Sequence, residues 1–163
     1  MSEPTRDPVH RASYSFAPDG ENLIVDTLLE PGGGLPEHFH PIQTEHWSVV
    51  EGEVHFQLGD DKRVITPADG EMLVSPGTRH SLRSTGRAVA HLRCRVEPAG
   101  QLEAFLTDSS AAAREGKFMR GGIPKSLSGA RWAAGFLKQH RDETVMTFPP
   151  QFAQRAMIAL LAR

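Results

Sequence analysis

"PGGGLPEHFHPIQTEH", residues 31–46, decides how the rest of the chain is read. Side chains on an extended segment alternate between two faces, so His38 and His40 point one way and Phe39 the other. The glycines at 32–34 let the backbone turn sharply ahead of the histidines, and Pro41 bends it after them. From Thr44 the same alternation sends Glu45, Trp47 and Val49 to one face and His46, Ser48 and Val50 to the other. If this second segment pairs with the first or folds back beside it, two imidazoles and a carboxylate converge on one point. That is a metal site lacking only some of its donors.

A further donor is expected from another strand on the same wall. "DGEMLVSPGTRH", residues 69–80, ends in His80 directly after a Pro-Gly turn that reverses the chain. Three neutral imidazoles and one carboxylate suit a divalent transition metal, Fe, Mn, Ni, Cu or Zn, with open positions for water or substrate.

Outward from these stretches, residues up to about 97 fall into short segments rich in β-formers. Examples are "LIVDTLLE", "EHWSVV", "VHFQL" and "AVAHLRCRV", each bounded by turn signals such as "PDGEN", "EGE" and "EPAG". Many short strands at regular spacing predict an antiparallel sandwich or barrel. After Pro98 the texture changes. "QLEAFLTDSSAAARE", "LSGARWAAGFLKQHRDE" and "PQFAQRAMIALLAR" place apolar residues three or four apart and predict helices. In the last of them Phe152, Ala156, Met157, Leu160 and Leu161 make one stripe, expected to pack on the chain's own body or on a second subunit. Pro149 and Pro150 suit its first turn. The connector "GKFMRGGIPKS" has no periodicity and is expected to be a mobile loop. The expected organisation is a β-barrel over residues 1–100 and a helical extension over 101–163.

Composition limits the function. The chain has 163 residues, 39% hydrophobic and 23% charged, with a net charge of -2, which suits one soluble domain and neither a nucleic-acid binder nor a membrane protein. The charge is uneven: residues 1–100 hold nine Lys/Arg against fifteen Asp/Glu, and residues 101–163 nine against five. Opposite charge suggests that the helices dock on the barrel or its dimer partner. A single cysteine, Cys94, excludes an intrachain disulfide and a cysteine metal cluster, and points to a reducing, cytoplasmic location. There is no phosphate-binding glycine loop leading into a helix and no Gly-x-Ser-x-Gly elbow.

The two quoted stretches resemble the motifs of the cupins, small double-sheet jelly rolls. Gly32, His38, His40, Glu45 and Gly52 stand at the spacing of the first motif, and Gly70, Pro76, Gly77 and His80 resemble the second. Seventeen residues separate Gly52 from Gly70, as in short-spacer cupins. Departures are Glu71, Ser75 and Ser84, where Asp, Pro and Asn are commonest. The resemblance covers roughly residues 12–97 and implies a mainly β jelly-roll (double-stranded β-helix) barrel, here followed by C-terminal α-helices. It implies that His38, His40, Glu45 and His80 ligate a metal.

On this reading an enzyme is favoured: a mononuclear metal centre with dioxygenase-like oxidation of a small organic substrate, with Glu45 able to loosen and act as a base. The alternatives are a non-oxidative isomerase, lyase or cyclase, or a cupin that binds a small ligand without turnover. Candidate substrate contacts are Trp47, which shares the face of Glu45, with His55, Phe56 and Arg93. His46 is expected at a surface or subunit interface, and His10 and His140 in solvent. Because sheet edges need covering, a homodimer is expected.

Overall fold

The computed structural model describes residues 1–119 and 121–162. Two antiparallel sheets face each other. The larger, in spatial order, comprises β1 (Thr5–Asp7), β2 (Ala12–Asp19), β3 (Asn22–Leu29), β10 (Ala90–Glu97), β5 (Thr44–Glu51) and β8 (Glu71–Val74). The smaller comprises β11 (Val145–Met146), β4 (Gly34–Phe39), β9 (His80–Ser84), β6 (Val54–Leu58) and β7 (Asp61–Ile65). This is the expected jelly roll. Alternation builds its core: Tyr14, Phe16, Val25, Leu29, Trp47, Val49, Leu92 and Val96 of the larger sheet turn inward to meet Val54, Phe56, Ile65 and Leu82 of the smaller.

The same alternation corrects two of the expected substrate contacts. Val54 and Phe56 are buried while His55 between them is exposed. Leu92 and Cys94 are buried, so Arg93 stands on the outer face, where its guanidinium holds both carboxylate oxygens of Asp26 at 2.7 and 2.9 Å. Parity defines two faces, and burial of the apolar set leaves the polar set outside.

Past residue 97 the chain is helical: α1 (Leu102–Arg114), α2 (Leu127–Gln139) and α3 (Gln151–Leu161), with Pro150 as the N-cap of α3. The helices lie on the barrel of their own chain. α1 packs against β1, where Arg114 donates to the Arg6 carbonyl at 2.7 Å, and β11 extends the smaller sheet beside β4. The connector is more ordered in its described part than a mobile loop: Phe118 bridges Pro124, and the Met119 amide bonds the Ile123 carbonyl at 2.8 Å. Arg120, which the same expectation included, lies outside the described residues.

α3 packs through only part of the expected stripe: Met157 and Leu161 turn inward, and the other three residues do not. Phe152 and Leu160 are 76% and 72% exposed, and Ala156 is exposed as well. The inward face carries Gln154, Met157, Ile158 and Leu161. Both faces of this helix are apolar enough to pack, and Gln154 decides between them by donating to the Met146 and Pro149 carbonyls at 2.8 and 2.6 Å. No helix among the described residues is long and apolar enough to cross a membrane.

Candidate metal centre

Three imidazoles meet between the sheets. His38 on β4 pairs in register with His80 on β9, bringing their ring centroids to 4.2 Å, and His40 follows just past the end of β4. One nitrogen of each of His38, His40 and His80 lies within 4.8 Å of the others, and all three residues are buried. Glu45 comes from the opposite sheet. Its β5 strand does not pair with β4 but faces it across the sandwich, and places Oε1 at 3.1 Å from His40 Nε2 and Oε2 at 2.8 Å from His80 Nε2. The carboxylate thus sits against two of the three rings. Trp47, two residues on, donates its indole N–H to Glu45 Oε2 at 3.0 Å.

The tautomer of every ring is fixed from behind. His38 Nδ1 lies 2.7 Å from the Pro36 carbonyl, His80 Nδ1 3.1 Å from that of Thr78, and His40 Nδ1 2.9 Å from that of Glu143. A carbonyl only accepts, so each Nδ1 carries a proton, and a ring in its neutral form presents its Nε2 lone pair to the centre. The local sequence explains the first of these bonds. The β4–β9 ladder is interrupted between Leu35 and His38, and Pro36 at that irregularity has no N–H to pair. Its carbonyl is left to hold the histidine two residues on.

Electrostatics agree with a cation site. Burial, joined by the charges His80 and His40 would carry, pushes His38 down to about 3, so its ring is neutral at ordinary pH. Burial opposes the charged form of Glu45, but the His40 and His80 rings outweigh it and hold the carboxyl well below the usual range. Burial also opposes charging of His40, and the Glu45 carboxylate reverses that, raising it. His40 Nε2 and His80 Nε2 come close to Glu45 without hydrogen-bond alignment, which leaves both nitrogens buried without a partner. Lone pairs on buried nitrogens facing an ionised carboxylate are costly unless a cation lies among them. The donor set therefore fits a divalent transition ion held by His38, His40 and His80, with Glu45 alongside.

A cavity of about 340 Å³ opens onto His38, His40, Glu45 and Trp47. Phe56 lies in the core and does not line it, and neither do His55 or Arg93. Cys94 does line it as a buried thiol, which burial first and Glu45 second keep protonated. His46 is on the outer face between Glu71 and Glu97.

Several contributors were not foreseen. Glu143 supplies the carbonyl behind His40 and its side chain accepts from Gln43 Nε2; Thr144 Oγ1 lies 3.3 Å from His40 Nδ1. His140, expected in solvent, is 2% exposed and packs against the Phe105 and Phe136 rings. His10, also expected in solvent, lines the cavity and is bound through Nδ1 to buried Asp7 at 2.7 Å. The only signal in the sequence for Gln43 and Glu143 is polarity at positions that the fold buries.

Comparison with known proteins accords with this geometry. The sequence profile of the Cupin domain family matches residues 25–94. An oxidoreductase of Arthrobotrys oligospora is 38% identical over 61 residues, covering 37% of this chain and 24% of that protein. A probable oxidoreductase of Aspergillus clavatus is 36% identical over 75 residues, covering 43% of this chain and 23% of that one. The chain thus spans about a quarter of the length of these relatives. An RmlC-like cupin from Shewanella frigidimarina superposes with a TM-score of 0.55 at 21% identity, over 63% of this chain and 89% of that one, and shows the shared fold. With both motifs in place on a two-sheet jelly roll, residues 25–94 are a cupin domain.

Proposed function

We propose that this chain is a metal-dependent oxidoreductase that carries out a dioxygenase-like oxidation of a small organic molecule. The observation that carries the reading is the convergence of three Nε2 lone pairs, each fixed by a backbone carbonyl behind its ring, beside an ionised carboxylate in a buried pocket. The oxidoreductase names of the sequence relatives support the redox class. When bound, a divalent transition ion supplies a Lewis-acid centre with open coordination positions.

The chain's own residues do the rest. His38, His40 and His80 hold the ion, and their Nδ1–H bonds prevent the rings from turning away. Glu45, ionised and steered by the Trp47 indole, is a fourth donor or takes a proton from a substrate hydroxyl. Trp47 and the apolar walls exclude water, which strengthens every charge interaction inside. The persistent ionisation of Glu45 equally suits proton abstraction in a non-oxidative isomerase or lyase, so metal identity separates the two.

The test is metal analysis after anaerobic purification, followed by oxygen uptake with a flavonol, a β-diketone and a catechol. About one Fe(II) per chain and oxygen consumption with one of the three are expected, with His38→Ala losing most of the metal. Bound Zn or Ni with no oxygen uptake selects the isomerase or lyase chemistry, and unchanged metal content in His38→Ala removes the ligand assignment.

A further inference from the structure

The cavity that reaches the metal cluster is built mainly by the helical tail. Twenty of its thirty-five lining residues lie beyond residue 100. At about 340 Å³ it falls at the small end of pockets that take drug-sized molecules. Of eight Phe, two Trp and one Tyr in the chain, seven line it, both tryptophans among them. Phe105, Phe118, Trp132 and Phe136 form one continuous cluster: ring centroids are 4.8 Å apart for Phe105–Phe136 and Trp132–Phe136, and 5.6 Å for Phe118–Trp132. Phe118, Trp132 and Phe136 are only partly buried, which leaves ring surface for a ligand to cover.

The polar groups of the wall are as informative. Among the described residues no lysine or arginine lines the cavity. Away from the metal cluster its ionisable groups are Asp7, His10 and Glu37, each engaged, with Tyr14 and Cys94, which burial keeps protonated and neutral. Asp7 pairs with His10 at 2.7 Å, and Glu37 accepts from Gln57 Nε2 at 2.9 Å. An anionic group placed far from the metal loses its hydration and finds no cation in exchange. A sugar phosphate, a nucleotide or a dicarboxylate does not match such a wall.

The geometry points to an aromatic substrate of two or three rings that is polar at one end only, the end that reaches the histidine cluster, with its apolar remainder seated between Trp47 and the aromatic cluster of the helices. The polar end rests on the metal-centre reading of the proposed function; the apolar end rests on the cavity wall alone.

The test is calorimetric titration of the metal-loaded full chain with two probes, 2-naphthol and 6-hydroxynaphthalene-2-sulfonate, which differ by an anion at the end remote from the hydroxyl. Saturable binding of 2-naphthol at one site per chain is expected, with the sulfonate at least tenfold weaker. Ser109→Phe fills the cavity from α1, and at full metal content it should weaken 2-naphthol at least tenfold. Equal affinity for the two probes, absence of saturable 2-naphthol binding, or unchanged binding by folded Ser109→Phe would overturn the inference. The comparison of the two probes decides the matter even where Ser109→Phe does not fold. A chain that binds no metal but still discriminates between the probes sinks the metal-centre reading and leaves the wall assignment standing.

Discussion

His40 shows how the site is assembled at the scale of single residues: its Nε2 faces Glu45 in the barrel while its Nδ1 is held by the carbonyl of Glu143, a hundred residues away in the tail. Asp7 plays a comparable part at the other margin of the cavity. It accepts from the Val9 and His10 amides and from the His10 ring. Burial disfavours its charged form, but these bonds and the His10 ring outweigh burial and lower it below its ordinary 3.8. A depressed folded pKa contributes stability that is complete above the unfolded value and is lost as pH falls through the folded one. Asp7→Asn is therefore expected to lower stability at pH 7 by about 1–3 kcal/mol, with the two proteins converging as pH falls below the ordinary 3.8 and through the lowered folded value. Urea midpoints at both pH values check this; a gap that does not change with pH would remove the ionised carboxylate as its cause. The common face of His38 and His40 was legible because alternation acts over a few residues, and the joining of Glu45 and His80 to them because the motif spacings resemble those of the cupins. The backing of His40 was not, since nothing near Glu143 records where its carbonyl ends up. His55 and Arg93 were misread because alternation separates two faces without saying which one holds the cavity.

Among the elements, the two-residue strand β11 has the largest effect for its size. It pairs Val145 with Phe39 and Met146 with His38, and so closes the open side of the ligand strand β4. Two anchors hold it there. Thr147 bonds the Glu37 carbonyl through both its amide and its hydroxyl, and Gln154 of α3 donates to Met146 and Pro149. Gln154→Ala leaves two carbonyls without their donor, a loss of about 1–3 kcal/mol. Faster amide exchange over 145–149, together with a fall in stability of that size, is the expected result of hydrogen-exchange mass spectrometry and denaturation. Unchanged exchange there would mean that α3 does not hold β11. The eight strands flanked by glycine and proline turns, and all three helices, could be read from periodicity. Two strands could not, and a third only in part. β1 and β11 are too short to show a period, and β4 was legible only around His38, since its Gly34 and Pro36 look like a turn until the ladder irregularity makes room for the proline.

For the whole molecule, the opposite charges of the two parts suggest electrostatic docking, yet the contacts that join them are of another kind. The inter-part hydrogen bonds run mostly to backbone carbonyls, as from His40 to Glu143, Arg114 to Arg6 and Thr147 to Glu37. Beside these and the side-chain contacts of Gln43 with Glu143 and of Thr144 with His40, the parts share apolar contact, with Leu102 and Phe105 of α1 belonging to the same core cluster as the barrel interior. Among the described residues no ion pair links a tail lysine or arginine to a barrel carboxylate. Burial of apolar surface is insensitive to screening, whereas attraction between separated charges fades as the screening length shrinks to about 3 Å at 1 M salt. Raising NaCl from about 0.05 to 1 M should therefore leave the thermal midpoint within about 2–4 °C, the shift that about 1 kcal/mol produces in a chain of this size. A single cooperative transition should persist throughout. A drop beyond that range, or a split into two transitions with the tail leaving first, would show that long-range charge holds the helices over the cavity and would make the pocket's aromatic wall dependent on ionic strength.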